Sequence, residues 1–387
     1  MKKLLILLAV MAISLSAFVS CDSEQTPEVT IPETNTADAT APETDAPDTD
    51  PPNTTTSDTT APETSAPETS APETTAPDAE TSSGEETEEE PIVTYSEGLE
   101  FTLNEDGTYT VSGIGTCTDE TVYIPTTYQG AMVTGIASSS FGRCKTIKAV
   151  VIPDSITSIG MSAFALCENL TSVTIGDGVT KIGVYAFDRC SSLTHVSIGD
   201  GVMSIGANAF SGCSNLFEIE GDITYVDNWI VDCETSAMSV VWRENTVGIA
   251  DEAFYNCGSL TSVTIPSGIK SIGASAFSHC SGLTSIIIPD SVTNIGDTAF
   301  YGCTNLISVA IPDSVTSIGV YAFSSCHKLY DILIPASVTT MGDSSFQNCD
   351  GLTNVYFAGT EEEWATLTQD LDLFNTSAPV IHYNYVP

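Results

Sequence analysis

Cysteine is the residue type with the most chemical potential in this 387-residue chain, and nine of its twelve copies share one spacing. Each of the nine follows a phenylalanine by three residues, and most neighbouring pairs are 23 residues apart. Thiols placed this regularly can form disulfides, bind a metal or act as nucleophiles. The column consists of Cys144, Cys167, Cys190, Cys213, Cys257, Cys280, Cys303, Cys326 and Cys349.

We expect this column to be a ladder of buried, reduced thiols. In neighbouring turns of a repeat the cysteines would lie about 5 Å apart, but their side chains would point in the same direction rather than toward each other. A free cysteine packs as a small apolar side chain. Zinc sites use closely spaced cysteine pairs that this pattern lacks, so we predict no metal and no cofactor.

Other residues that could carry catalysis are scattered. The four histidines are His195, His279, His327 and His382, at no metal-ligand spacing, and no G-x-S-x-G nucleophile motif occurs. We therefore predict that the protein is not an enzyme. A second column, of aspartates, is expected to cap turns, with calcium binding as the alternative. It contains Asp154, Asp177, Asp200, Asp290 and Asp313.

The N-terminus carries the pattern of an exported protein. Lys2 and Lys3 precede an apolar run from residue 4 to 19, which predicts a signal peptide over residues 1–20. The following "FVSC" resembles a bacterial lipobox, in which Cys21 receives the lipid. We expect a lipid anchor at Cys21, with cleavage to a soluble secreted protein as the alternative.

Acidic residues dominate the composition. Lys and Arg number 10 against 51 Asp and Glu, a net charge of −41, which excludes a phosphate backbone as a natural partner. Residues 22–91 contain 20 acidic residues, no basic ones and little to bury. We predict that residues 21–92 form a disordered Thr/Pro/Glu-rich stalk that holds the remainder away from a cell surface.

Beyond the stalk, one 23-residue unit recurs, as in "IPDSVTSIGVYAFSSCHKL". A fixed period of this length predicts a solenoid, in which each coil buries its apolar side against its neighbours. The gap between Phe210 and Phe254 is 44 residues, which indicates an irregular copy at about residues 214–253. The predicted core contains Phe164, Phe187, Phe210, Phe277, Phe300, Phe323, Cys167, Cys190, Cys280, Cys303 and Cys326.

Each coil contains the pieces of a leucine-rich repeat. "LTSVTIP" has the L-x-x-L-x-L spacing of a short parallel strand, "SVTSIG" predicts a second strand, and "AFxxC" predicts one short helical turn. The residue after the second strand is glycine in seven coils and alanine at 137 and 250. Since alanine disfavours positive φ, we infer that space between coils, not φ, restricts this position.

The two ends predict caps. Residues 93–134 contain a β-hairpin pattern with its turn at Asp106-Gly107. Residues 135–358 hold the repeats. In residues 359–387, Thr360 and Glu363 match a helix capping box, and the tail "APVIHYNY" predicts a last strand.

Together, the "IPDSVTSIGxxAFxxC" coil, the "YTVSGIG" entry, the irregular "YVDNWIV" copy and the "VYFAGTEEEW" ending resemble BspA-type leucine-rich repeat proteins of bacterial surfaces. The resemblance covers about residues 95–387. It implies a surface protein associated with adhesion, and no shared catalytic residues.

The outward face of the L-x-x-V-x-I strand is where the coils differ. Its fifth position turns apolar toward the C-terminus, at Ile287, Ala310, Leu333 and Tyr356. We hypothesise that Ile287, Leu333 and Tyr356 form a binding surface, whereas ordinary β-propensity or cover by the C-terminal tail would explain the same pattern without a partner.

These features predict a surface-anchored protein that binds host or bacterial surface macromolecules, protein or glycan, and contacts the membrane only through its lipid. A structural display or envelope protein without a dedicated ligand is the alternative.

Overall fold

The computed structural model of the protein describes residues 95–374 and 378–386. The predicted signal peptide, Cys21 and the predicted stalk lie outside the described residues. Within the described residues, no helix is long and apolar enough to cross a membrane.

The predicted leucine-rich repeat solenoid of parallel strands is confirmed. The L-x-x-V-x-I segments form two long-strand sheets, one in each half of the repeat region. The N-terminal sheet contains β3 (Thr121–Tyr123), β6 (Ala149–Ile152), β8 (Ser172–Ile175) and β10 (His195–Ser197). The C-terminal sheet contains β16 (Ser262–Thr264), β18 (Ser285–Ile287), β20 (Ser308–Ala310), β22 (Asp331–Ile334), β24 (Asn354–Phe357) and β25 (Val380–His382).

Two-residue strands stack in parallel on a second side of the coils. In the N-terminal half they are β7 (Ser158–Ile159), β9 (Lys181–Ile182) and β11 (Ser204–Ile205), which continue from the longer β5 (Ala131–Ile136). In the C-terminal half they are β15 (Gly248–Ile249), β17 (Ser271–Ile272), β19 (Asn294–Ile295), β21 (Ser317–Ile318) and β23 (Thr340–Met341).

The third side of each coil consists of hydrogen-bonded turns rather than the expected helical turn. Around Phe164, the N–H groups of Ser162, Phe164 and Leu166 donate to carbonyls of the next coil at 2.7–2.9 Å. Ser162 and Leu166 take up positive φ values of 55° and 61° to allow this. The alternate N–H groups of Ala163, Ala165 and Cys167 donate along the chain, each to the carbonyl three residues before, so bonds within and between coils together take the place of α-helical bonding. We name this stack of turns the turn ladder.

The core follows the phenylalanine and cysteine columns. Phe141, Phe164, Phe187 and Phe210 stack with centroids 4.8–5.3 Å apart and planes within 4°. A second stack runs from Phe254 to Phe346. All eleven residues assigned to the core from the sequence are at most 2 % exposed.

Most thiols of the column bond to the backbone, whereas Cys144 Sγ lies 3.1 Å from Thr146 Oγ1. Cys190 Sγ donates to the carbonyl of Phe164, in the preceding coil, at 3.1 Å, and Cys303 Sγ does the same to Phe277. All eleven cysteines of the described residues are free. The aspartate column also links coils, since Asp154 Oδ1 accepts the N–H of Asp177 at 2.9 Å.

The glycine column is restricted by space, as inferred from its alanines. A Cβ added to Gly183 would lie 2.7 Å from the backbone C of Gly160 and the N of Met161. Gly183 does not have positive φ. At most positions of the glycine column, the backbones of neighbouring coils lie too close together to leave room for a side chain.

The irregular copy separates the two halves of the repeat region. β12 (Glu218–Glu220) leaves the long-strand sheet and pairs antiparallel with β13 (Ile223–Val226), which pairs antiparallel with β14 (Trp229–Cys233). β14 then pairs in parallel with β15, so that regular stacking resumes.

Both predicted caps are present. At the N-terminal end, β1 (Glu100–Leu103) and β2 (Tyr109–Gly113) form an antiparallel hairpin, and β2 pairs with β5, which β4 (Thr127–Tyr128) also contacts. At the other end, helix α1 (Glu361–Leu367) begins with the predicted capping box between Thr360 and Glu363. β25 pairs in parallel with β24 as the last strand.

Candidate binding surface

The fifth positions of the C-terminal long-strand sheet form one continuous row. Register pairs Thr264 with Ile287, Ile287 with Ala310, Ala310 with Leu333, and Leu333 with Tyr356. These side chains alternate with buried ones such as Ile286 and Ile332, so they point away from the core. We name Ile287, Ala310, Leu333 and Tyr356 the apolar row.

Exposure decreases along this row toward the C-terminus. Ile287 is 37 % exposed and Ala310 is exposed, whereas Leu333 and Tyr356 are half-buried. The tail causes the burial of Tyr356, whose ring stacks on His382 with centroids 4.7 Å apart and planes at 15°. Tyr385 packs on Tyr356 at the same centroid distance. The tail strand extends the sheet sideways and lengthens the row by His382.

A polar network runs beside the row. Asn354 Nδ2 donates to Asp331 Oδ1 at 2.7 Å, and this leaves Asn354 Oδ1 to face His382 Nε2 at 3.0 Å. Desolvation, followed by the charge of Asp331, raises the pKa of Tyr356. The phenol therefore remains protonated at neutral pH and can donate a hydrogen bond to a partner.

Sequence reasoning missed part of this surface. Tyr330, directly before β22, is 56 % exposed and lies at the repeat position occupied by Thr261 and Thr284 in earlier coils. Its departure from threonine was a readable signal. His382 and Tyr385 gave none, because their contacts depend on how the tail folds back onto β24.

The acidic pair Glu218 and Glu220 does not belong to this face. Their position in the repeat predicts that both carboxylates lie on the long-strand sheet, but β12 pairs with β13 instead. Arg243 contacts Glu218 Oε2 through Nη1 at 2.7 Å and Glu220 Oε1 through Nε at 3.0 Å. The guanidinium also lies over the Tyr225 ring, 4.1 Å from its centroid. These carboxylates are therefore partly neutralised within the irregular copy.

The histidines and thiols do not converge. His327 Nδ1 lies 3.1 Å from Asp350 Oδ2, and the His279 ring packs edge-on between Tyr255 and Tyr301. Burial raises the pKa of the Cys303 thiol to about 12, so it is protonated at neutral pH and is not a nucleophile. In the part of the chain that the structure describes, no group of three potential ligands could hold a metal ion.

The repeat match decides the family. The BspA type leucine rich repeat region, in six copies, matches residues 124–235 and 247–366. The chain belongs to the BspA-type leucine-rich repeat family. No curated protein matches its sequence.

Solved structures of bacterial leucine-rich repeat proteins resemble this BspA-type chain. A leucine rich cell surface protein of Faecalibacterium prausnitzii is 26 % identical, with coverage of 73 % of this chain and 99 % of that chain and a TM-score of 0.40. A leucine rich repeat protein of T. pallidum is 25 % identical over 61 % and 90 % of the chains, with a TM-score of 0.28. One from Bacteroides ovatus is 23 % identical over 74 % and 99 %, with a TM-score of 0.30.

Proposed function

We propose that this protein is a bacterial surface protein that binds protein or glycan through the outer face of its C-terminal long-strand sheet. The apolar row carries the proposal. The apolar row points away from the core, and covering its exposed part with a partner removes apolar surface from water. Tyr356 adds an aromatic surface and a hydroxyl, and such residues often anchor interfaces.

The contrast between the two long-strand sheets supports this location. In the N-terminal sheet the same column reads Tyr123, Val151, Thr174 and Ser197, so it is polar from its third member onward. In the C-terminal sheet it is apolar from Ile287 to Tyr356 and ends in an aromatic cluster. The C-terminal sheet combines the longer apolar row with polar groups that can fix a partner's orientation.

Family membership supports a surface or exported location for the protein. We further propose that Cys21 carries a lipid and that residues 22–91 act as an acidic spacer; both lie outside the described residues. Cys21→Ala should release the protein from the membrane fraction or leave it unprocessed. An intact mass of the mature protein without a diacylglyceryl group would contradict the anchor.

The alternative is a display or envelope protein without a dedicated ligand. Catalysis is not proposed, because the solenoid is a scaffold and its described histidines and thiols do not converge. Nucleic acid is not a proposed partner, given the net charge of −41.

A paired substitution tests the binding surface. Ile287→Thr with Leu333→Thr converts the row to the residue found at Thr174 and Thr264, and the β-branched threonine side chain is favoured in strands. The wild type should bind immobilised extracts of host or bacterial surfaces saturably. We expect the double variant to bind at least about tenfold more weakly, the loss typical of removing interface anchors.

Val151→Thr is the control, since it also introduces threonine in place of an apolar residue at the same column of the N-terminal sheet. It should bind as the wild type does. Equal binding by the wild type and the double variant would exclude this surface. Absence of saturable binding by any of the proteins would favour the display alternative.

A further inference from the structure

The irregular copy leaves one gap in the turn ladder. In the regular coils before and after it, the N–H groups at the phenylalanine and two residues to either side donate to the next coil. Among the described residues, these bonds are missing as a complete set of three only after the coil of Phe210. The unpaired N–H groups belong to Asn208, Phe210 and Gly212.

The opposite wall of the gap is unpaired as well. By the repeat register, the carbonyls that should receive these bonds are those of Asp251, Ala253 and Tyr255, and none of the three accepts a backbone bond. The walls meet at one end, where the Asp251 N–H donates to the Ile205 carbonyl at 2.9 Å. From there the turns separate, because the irregular copy contributes β14 but no turn of its own.

A cavity of about 380 Å³ occupies this gap. Phe217, Val231 and Cys233 contribute to its lining between the two walls. Asp232, Asp251 and Glu252 line it too, and no Lys or Arg does. Burial raises the pKa of Asp251 to about 6, and Asn208 Nδ2 donates to Glu252 Oε2 at 3.3 Å across the gap.

We propose that this cleft binds a short extended peptide segment bearing a basic side chain, which completes the interrupted turn ladder. An extended chain presents N–H and C=O groups on both of its edges. The carbonyls on one edge would accept from the N–H groups of the Phe210 wall, and the N–H groups on the other edge would donate to the carbonyls of the Ala253 wall. Strand addition of this kind draws affinity from the main chain, and pockets supply the specificity.

The acidic lining of the cleft favours a positively charged peptide. A lysine or arginine side chain can pair with the carboxylates of Asp232, Asp251 and Glu252. Residues 22–91 of the same chain cannot be that occupant on electrostatic grounds, since they contain 20 acidic residues and no basic one. We therefore assign the segment to a different, basic partner.

Hydrogen exchange of the full-length protein tests the empty cleft first. Amides in 206–213 should exchange at least about tenfold faster than the equivalent amides in 183–190, whose ladder bonds are formed. Equal protection in the two segments would mean that the ladder is closed, and would overturn the proposal.

Binding is tested with the capped pentapeptide acetyl-Ser-Lys-Val-Lys-Ser-amide and its twin with glutamate in place of lysine. The basic peptide should protect 206–213 and bind at least about tenfold more tightly than the acidic one. Asp251→Asn with Glu252→Gln should weaken the basic peptide by a similar factor. Asp297→Asn, at the same repeat position two coils on, should not.

Equal binding of the two peptides would overturn the charge assignment, and no binding of either would overturn the site. Protection elsewhere than at 206–213 would do the same, whether or not the apolar row binds its own partner.

Discussion

Replacing Phe277 by alanine removes a ring from the middle of a stacked column. Phe277 is fully buried and lies between Phe254 and Phe300, with centroids 4.8 and 5.5 Å away and planes within 5°. Truncating a buried phenylalanine costs about 3–5 kcal/mol, and each aromatic pair contributes about 0.5–1.5 kcal/mol beyond burial. With two such pairs lost, we expect a loss near the upper end of that range.

Phe210 provides the internal comparison. It is also buried, but within the described residues it stacks on one ring alone, Phe187, because the irregular copy follows it. Phe210→Ala should therefore destabilise the protein by about 1 kcal/mol less than Phe277→Ala. A larger loss for Phe210 would show that the column of rings is not the source of the difference.

Urea unfolding provides the assay, with two buried tryptophans as separate probes. Trp229 lies in the irregular copy and Trp364 in α1, on either side of Phe277. Because coils of a solenoid contact mainly their neighbours, the two probes can report different midpoints, and each should be analysed separately. Unchanged midpoints at both tryptophans for Phe277→Ala would refute the assignment of this residue to the core.

Three further predictions concern the backbone, one carboxylate and the thiols. Gly183→Ala should cost about 1–3 kcal/mol in urea unfolding, because its Cβ would lie 2.7 Å from the Gly160 backbone; an unchanged midpoint would contradict the close approach. Burial raises the Asp251 pKa from 3.8 to about 6, so this group lowers stability as pH rises from about 4 to 6. The amide oxygen of Asp251→Asn can still accept from the Ala274 N–H. This variant should raise the free energy of unfolding by about 1–2 kcal/mol above pH 6 and leave it unchanged below pH 4. A gain that does not depend on pH would show that the Asp251 charge is not its cause. Thiol titration without reductant should find the nine buried cysteines of the described residues unreactive when folded, and all eleven, including the partly exposed Cys144 and Cys349, free when denatured; a deficit after denaturation would indicate disulfides.

The irregular copy shows what a pattern cannot supply. Its position follows from the 44-residue interval between Phe210 and Phe254. Its conformation does not, because β12 pairs with β13 within the same copy instead of with β10. That choice depends on the competition between a local hairpin and a distant strand. It places Glu218 beside Arg243 and leaves the turn ladder open, and neither outcome follows from the repeat.

The sequence by itself determined the period of the repeat, the phenylalanine and cysteine columns of the core, and the space restriction in the glycine column, since identical coils must stack with identical residues in register. It also located the apolar row, because strands alternate their side chains. Only the tertiary structure decided that AFxxC forms turns bonded between coils, with positive φ at Ser162 and Leu166, in place of a helical turn. It likewise decided that His382 and Tyr385 pack against Tyr356. The physical reason is the same in both cases: these contacts join residues from different coils or from the returning tail, and their energies exceed the local preferences that a short segment expresses.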